Sequence, residues 1–365
     1  MKYGKLTIVT CSFVLSLLAG CGGSGGGNSN ITEPSPEPIP DNSAPVVRHE
    51  PTYDVLIDEN IIYAEGLVHD SSSTVPFASS IPLDVYYPNN ASTNRPVFMF
   101  IHGGGFTGGT KQNPKIIEMA NYYSSRGWVF VSIDYRTTKA LGSLQGMRQE
   151  QVLTYYQGIA PQEWLEYGLQ GAESVPMFQQ SVAMYTAQRD AKAALRWIVA
   201  NSSAYNINTE FITVGGASAG SITTVALGIS NQEDFSDELT IAEDPTLATT
   251  HLNQNYNVKS MVYFWGSNIK LDVFEGVYQF NRYDADDPEL FMGHGEAYDA
   301  VTPYEEALEL QSIYDSLGIY SRLATLLLPN GDLAGHGAWD GVVEGKGLFE
   351  LVFDFLVERQ KLDAV

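Results

Sequence analysis

The stretch Phe211-Ile-Thr-Val-Gly-Gly-Ala-Ser-Ala-Gly220 decides the fold. An apolar run, Phe211-Ile-Thr-Val214, breaks into Gly216-Ala-Ser-Ala-Gly220, and small and β-branched residues follow. The pattern predicts a buried strand, a tight turn and a helix, with a serine at the apex of the turn. Gly216 and Gly220 permit the sharp turn and let the helix lie close to the strand. Ser218 is therefore the candidate nucleophile. The helix beginning at Ala219 points the positive end of its dipole at that position.

Working outward, a second apolar run at 97–101 leads into His102-Gly-Gly-Gly-Phe106. A glycine loop at a strand end can aim bare backbone N–H groups at a substrate oxygen, because no Cβ blocks the approach. Gly104 and Gly105, joined by the N–H of Ala219, are the candidate oxyanion donors. Such donors contribute roughly 3–4 kcal/mol each in acyl transfer. His102 reads as structural, packing the loop and bonding its backbone. A nucleophile and an oxyanion hole on one chain point to acyl transfer.

Beyond these two points the chain alternates. Strands are expected near 61–69, 81–87, 97–101, 128–133, 211–214, 258–265, 290–294 and 322–328. Helices are expected at 113–126, 181–200, 219–229, 303–317 and 348–362. The buried strands are nearly continuous in apolar residues, which implies a mostly parallel sheet covered on both faces, an α/β fold. Ligands gather at the carboxyl ends of such strands, where His102, Gly216, Asp299 and His336 fall. Residues 137–180 and 231–257 interrupt the alternation as insertions. Tyr155, Tyr156, Trp164 and Tyr167 of the first either line a pocket or pack the insertion onto the body.

His102-Gly-Gly-Gly-Phe106, Asp134-Tyr-Arg136, Arg189-Asp-Ala191 with Arg196-Trp197, and Gly216-Ala-Ser-Ala-Gly220 together resemble the carboxylesterases and lipases of the α/β-hydrolase superfamily. They are most similar to bacterial esterases with an H-G-G-G oxyanion loop. The resemblance runs from Leu83 to the C-terminus apart from the two insertions. It implies the α/β-hydrolase fold and a triad in the order nucleophile, acid, histidine. Of the six histidines, His49, His69 and His102 precede Ser218, His251 lies in an acidic insertion and His294 precedes the acid. His336, in Gly335-His-Gly-Ala-Trp339, remains as general base and then general acid. The family's acid loop is H-G, two residues, Asp, then a Pro-headed helix. His294-Gly-Glu-Ala-Tyr-Asp299 carries one extra residue but keeps the spacing to Pro303. Asp299 is the expected acid, with Glu296 and then Asp332 as alternatives; its task is to fix the tautomer of His336 and stabilise its imidazolium.

The first residues read as an address. Lys2 and Lys5 precede an apolar stretch at 6–18 that ends in Leu18-Ala-Gly-Cys21. This resembles the lipobox of bacterial lipoproteins: residues 1–20 form the signal and Cys21 carries lipid. Gly22, in place of Asp, disfavours inner-membrane retention, so the outer membrane is the expected location. Residues 21–47 are Gly/Ser-rich, then Pro-rich, and read as a tether. Residues 48–365 form the catalytic domain. The chain has two cysteines, Cys11 and Cys21, so that domain has no thiol for a nucleophile, disulfide or metal site.

A formal charge of −23 argues against nucleic acid as a partner and favours neutral or cationic esters over anionic polymers. No metal motif and no nucleotide fingerprint is present, so no cofactor is expected. The expected activity is hydrolysis of small neutral esters, or of acetyl or aryl esters on polysaccharides. The rivals are an inactive hydrolase fold serving as a surface binding module and a serine peptidase of the same fold. The length is expected to leave no room for the extra domain such peptidases carry.

Overall fold

The computed structural model describes residues 43–70, 73, 75–279 and 282–365. The expected signal at 1–20, the expected lipidation site at Cys21 and most of the expected tether lie outside the described residues. Eight strands form the main sheet: β1 (Val55–Val68), β2 (Phe77–Pro88), β3 (Arg95–Ile101), β4 (Val129–Ile133), β5 (Ile207–Ala217), β6 (Val258–Phe264), β7 (Glu289–Gly295) and β8 (Ser321–Leu326). Their spatial order is β1-β2-β4-β3-β5-β6-β7-β8. β1 and β2 are antiparallel, as are β2 and β4; every later pairing is parallel.

The continuous apolar strands are buried on both faces because the pleat divides them between two cores. From β3, Val97, Met99 and Ile101 enter one core while Phe98 and Phe100 enter the other. On the first face lie α4 (Val175–Ala200), α5 (Ala219–Gly228) and α7 (Tyr304–Leu317). On the second lie α1 (Pro114–Ser124) and α8 (Leu348–Gln360). The second core is the more aromatic: Tyr123 and Trp128 stack edge-on at 5.4 Å, and Trp128 meets Phe353 at 5.3 Å. Each such pair adds about 0.5–1.5 kcal/mol beyond area burial.

The first insertion holds helices α2 (Gln149–Tyr155) and α3 (Gln162–Gly171) and the start of α4. α4 begins at Val175, six residues earlier than its apolar period suggests, because the Ser174 side chain caps it by accepting from the Met177 N–H. Helix α6 (Asp272–Tyr278) has no counterpart among the expected helices. Trp164 is buried against Tyr185, Phe235, Phe274 and Tyr278. Tyr155 stacks on His69 at 3.6 Å. Tyr155, Tyr156 and Trp164 therefore pack the insertion onto the body, whereas Tyr167 is exposed. Val46–Val47, which the sequence reading gives to the tether, pair with Asp363–Ala364 at the C-terminus.

Two of the motifs form a buried ion network. Arg136 grips Asp190 through Nε and Nη2, the latter at 2.7 Å, and Arg136 N–H also bonds that carboxylate. Arg189 reaches Asp244 of the second insertion at 2.9 Å. Gly66 on β1 makes room for the first guanidinium, since a Cβ there would stand 2.4 Å from Arg136 Nε. Asp134 accepts from the Lys111 N–H at 2.7 Å, and the Lys111 ammonium meets buried Asp84 at 2.7 Å. These groups clamp loops on the sheet around the strand ends. Among the described residues no helix is long and apolar enough to cross a membrane.

Candidate active site

Ser218 sits between β5 and α5 with φ 55° and ψ −119°. A non-glycine residue rarely adopts this conformation, and holding it costs about 1–3 kcal/mol. The surroundings enforce it. A Cβ on Gly216 would stand 2.2 Å from the Gly220 carbonyl, and one on Gly220 would stand 2.0 Å from the Ile101 carbonyl oxygen. The Ser218 N–H donates to Phe264 O at 2.8 Å. Buried Ser221 ties the turn further: its hydroxyl lies 2.7 Å from the Gly216 and Phe264 carbonyls and accepts from the Phe264 N–H at 2.8 Å. Helix, turn and two strand ends thus hold one hydroxyl at the carboxyl edge of the sheet.

The glycine loop follows β3 and passes the same point. A Cβ on Gly103 would meet the Ala217 carbonyl at 2.7 Å. Gly104 and Gly105 have φ of 120° and 60°. Among the described residues, neither of their N–H groups has an acceptor. Ala219 is the first residue of α5, so its N–H has no partner within the helix. The Gly105 carbonyl is held by the Gln180 side-chain amide at 2.9 Å. His102 stacks on Tyr135 at 4.3 Å, and its Nδ1 lies 2.7 Å from Gly103 O. Burial depresses its pKa, only partly offset by that bond and by Asp134. His102 has the packing role expected of it.

His336 follows β8 and Asp299 follows β7. Across 37 positions of sequence, His336 Nδ1 and Asp299 Oδ2 stand 2.8 Å apart. The acid side chain is 8% exposed and the imidazole 39%. The other carboxylate oxygen accepts from the Val301 N–H at 2.8 Å and the Thr302 N–H at 3.2 Å. Burial alone would raise the Asp299 carboxyl. The Thr302 hydroxyl, the two N–H groups and His336 outweigh it and hold the pKa down at about 2. Glu296 is exposed and Asp332 accepts from Asn330 instead. His294 is buried with Nδ1 against its neighbour's carbonyl at 3.0 Å.

Ser218, the glycine loop, Asp299 and His336 line one cavity of about 580 Å³, together with Trp265, Val301 and Trp339. The two indoles meet edge-on at 5.1 Å, and Trp265 faces the His336 ring at 6.4 Å. No motif in the sequence gives either tryptophan a place at the site, and none gives one to Thr302 or Gln180. Among the described residues no group of three or more His, Cys, Asp or Glu could hold a metal ion.

The strand order and this cavity at the carboxyl edge define an α/β-hydrolase fold. The family model BD-FAE matches residues 83–143 and 177–277. No curated protein matches the chain. Among solved structures, the chain is similar to a truncated carbohydrate esterase from gut microbiota, with 20% identity and a TM-score of 0.51 over 87% of this chain and 100% of that one. It is also similar to esterase 2 of Thermogutta terrifontis phosphorylated by paraoxon, with 17% identity and a TM-score of 0.52 over 83% of this chain and 94% of that one. The butyrate-bound form of that esterase matches at 17% identity and a TM-score of 0.52, over 84% and 94% of the two chains.

Proposed function

We propose that the chain is a serine carboxylesterase that hydrolyses neutral carboxylic esters through a covalent acyl-enzyme. The 2.8 Å contact between His336 and Asp299 at the mouth of the cavity that also holds Ser218 carries the reading. His336 Nδ1–H donates to Asp299, which leaves Nε2 as the base for the Ser218 hydroxyl. The serine oxygen attacks the ester carbonyl, and His336 takes its proton. The N–H groups of Gly104, Gly105 and Ala219 stabilise the oxyanion. His336 then protonates the departing alcohol. A water, activated by the same imidazole, releases the acid and restores Ser218.

The family match and the esterase neighbours support this class of reaction. The neighbouring esterase, described in one structure as butyrate-bound and in another as phosphorylated by paraoxon, suggests short acyl groups and a phosphorus-based probe. A fluorophosphonate should label the wild type and leave Ser218→Ala unlabelled. An unlabelled wild type that is folded would favour the inactive binding module. Rates over p-nitrophenyl esters from acetate to decanoate, with methyl ferulate alongside, define the acyl preference. We further propose export and outer-membrane anchoring through Cys21, which Cys21→Ser should abolish by moving the protein to the soluble fraction.

A further inference from the structure

We propose that Thr302 is a positioning residue for the imidazole of His336, acting through its hydroxyl. Thr302 is 2% exposed, and it comes from the short connection between Asp299 and helix α7. Its Oγ1 lies 2.6 Å from Asp299 Oδ2 and 2.9 Å from His336 Nδ1. With the 2.8 Å contact between the acid and the ring, the three atoms form a closed triangle. A hydroxyl has one proton and two lone pairs. The carboxylate is acceptor-only, so that proton goes to Asp299 Oδ2. The lone pairs of Thr302 then face Nδ1.

Two consequences follow. The first concerns the tautomer. Nδ1 now faces two acceptors, so the ring is held with its proton there and its free lone pair on Nε2. A rotated or flipped ring would lose both acceptors. The second concerns the acid. Thr302 supplies two of the four donors that surround the Asp299 carboxylate, its N–H to Oδ1 and its O–H to Oδ2. The carboxylate is thereby fixed in the plane that meets the ring. The His336 side chain is 39% exposed against 8% for Asp299, so this anchoring matters to a ring that is open to solvent.

The inference rests on the reading of Ser218, His336 and Asp299 as an acyl-transfer triad. Two substitutions separate a hydroxyl role from a packing role. Thr302→Val keeps the shape and removes the hydroxyl; Thr302→Ser keeps the hydroxyl and removes the methyl group. If the hydroxyl positions the ring, Thr302→Val lowers kcat about ten- to a hundred-fold with KM within about two-fold, the effect expected for loss of a hydrogen bond to a charged group. Thr302→Ser then stays within about three-fold of wild type. The far-downfield proton resonance of His336 Nδ1–H should shift or broaden in Thr302→Val and persist in Thr302→Ser. The opposite ranking, with Thr302→Ser the weaker enzyme and the resonance unchanged in Thr302→Val, overturns the proposal and leaves a packing role. Equal activity of both variants overturns it as well. Ser218→Ala measured in parallel keeps the two readings apart. If that variant still turns over ester, the triad itself fails; if it is inactive while Thr302→Val is normal, only the role of Thr302 fails.

Discussion

The Gln180 side-chain amide donates to the Gly105 carbonyl at 2.9 Å, tying the first turns of α4 to the glycine loop. The bond fixes the peptide plane that follows Gly105 and so restrains the loop whose N–H groups are the proposed oxyanion donors. A preorganised donor is effective because it need not reorient during reaction. Gln180→Leu should therefore lower kcat about ten-fold with little change in KM and little change in Tm, as read by steady-state kinetics on a short p-nitrophenyl ester. An unchanged kcat would show that the loop holds its shape without this tether.

Strain at Ser218 gives a prediction of the opposite kind. At φ 55° and ψ −119° a glycine would sit without penalty. Ser218→Gly should abolish turnover and raise stability by about 1 kcal/mol, the strain relieved less the entropy that glycine loses. A thermal melt should show a gain of about 1–2 °C. A lower Tm would mean that the serine side chain contributes more to the fold than its backbone costs.

Close approach of helix and strand sets a third test. A Cβ on Gly220 would stand 2.0 Å from Ile101 O, whereas one on Gly335 would meet only Ala297 Cβ at 3.6 Å. Gly220→Ala should cost about 3 kcal/mol or fail to fold, because backbone must move. Gly335→Ala should be near neutral in denaturant melts. Comparable stability of the two variants would contradict the packing described for the turn.

Acid sensitivity follows from Asp299. Its pKa in the fold is about 2, against an ordinary value of 3.8. A depressed carboxyl adds stability that is fully present above the unfolded value and is lost as pH falls through the folded one. Between about pH 4 and 2 the wild type should lose part of its urea stability through this group, and Asp299→Asn should show a shallower slope over the same window. Parallel slopes would remove Asp299 from that balance. The same substitution should cut kcat by about 10⁴-fold through loss of the correct tautomer.

Much of the architecture is legible in the chain because its central strands are buried twice over. The run at 97–101 could hardly be anything but an interior strand, and the glycines at 216 and 220 announce the turn between β5 and α5. The start of α4 is marked by Ser174 and Pro176, but its apolar period begins only six residues later. α3 gave no clean period, since Trp164 and Leu165 point into a packed interface of other aromatics and the surrounding glycine and glutamine residues blur the pattern. The order of Ser218, Asp299 and His336 was readable through the family resemblance, and the structure brings all three to one cavity. Thr302, Trp265 and Gln180 were not readable. A hydroxyl, an indole and an amide acquire a place at the site only when distant segments converge, and no spacing in the chain encodes that meeting.

The paired arginines fasten the second insertion to the body. Arg189 is buried between Asp190 and Asp244, and Asp244 belongs to the second insertion. Swinging that segment outward would take one of two carboxylates from a buried guanidinium and leave it Asp190 alone, a cost of at most about 3–5 kcal/mol. The residues around Ser218 that face the cavity come from other segments. The second insertion is thus pinned by charge at a point away from the cavity, and Asp244→Asn should loosen that segment before it disturbs the residues around Ser218.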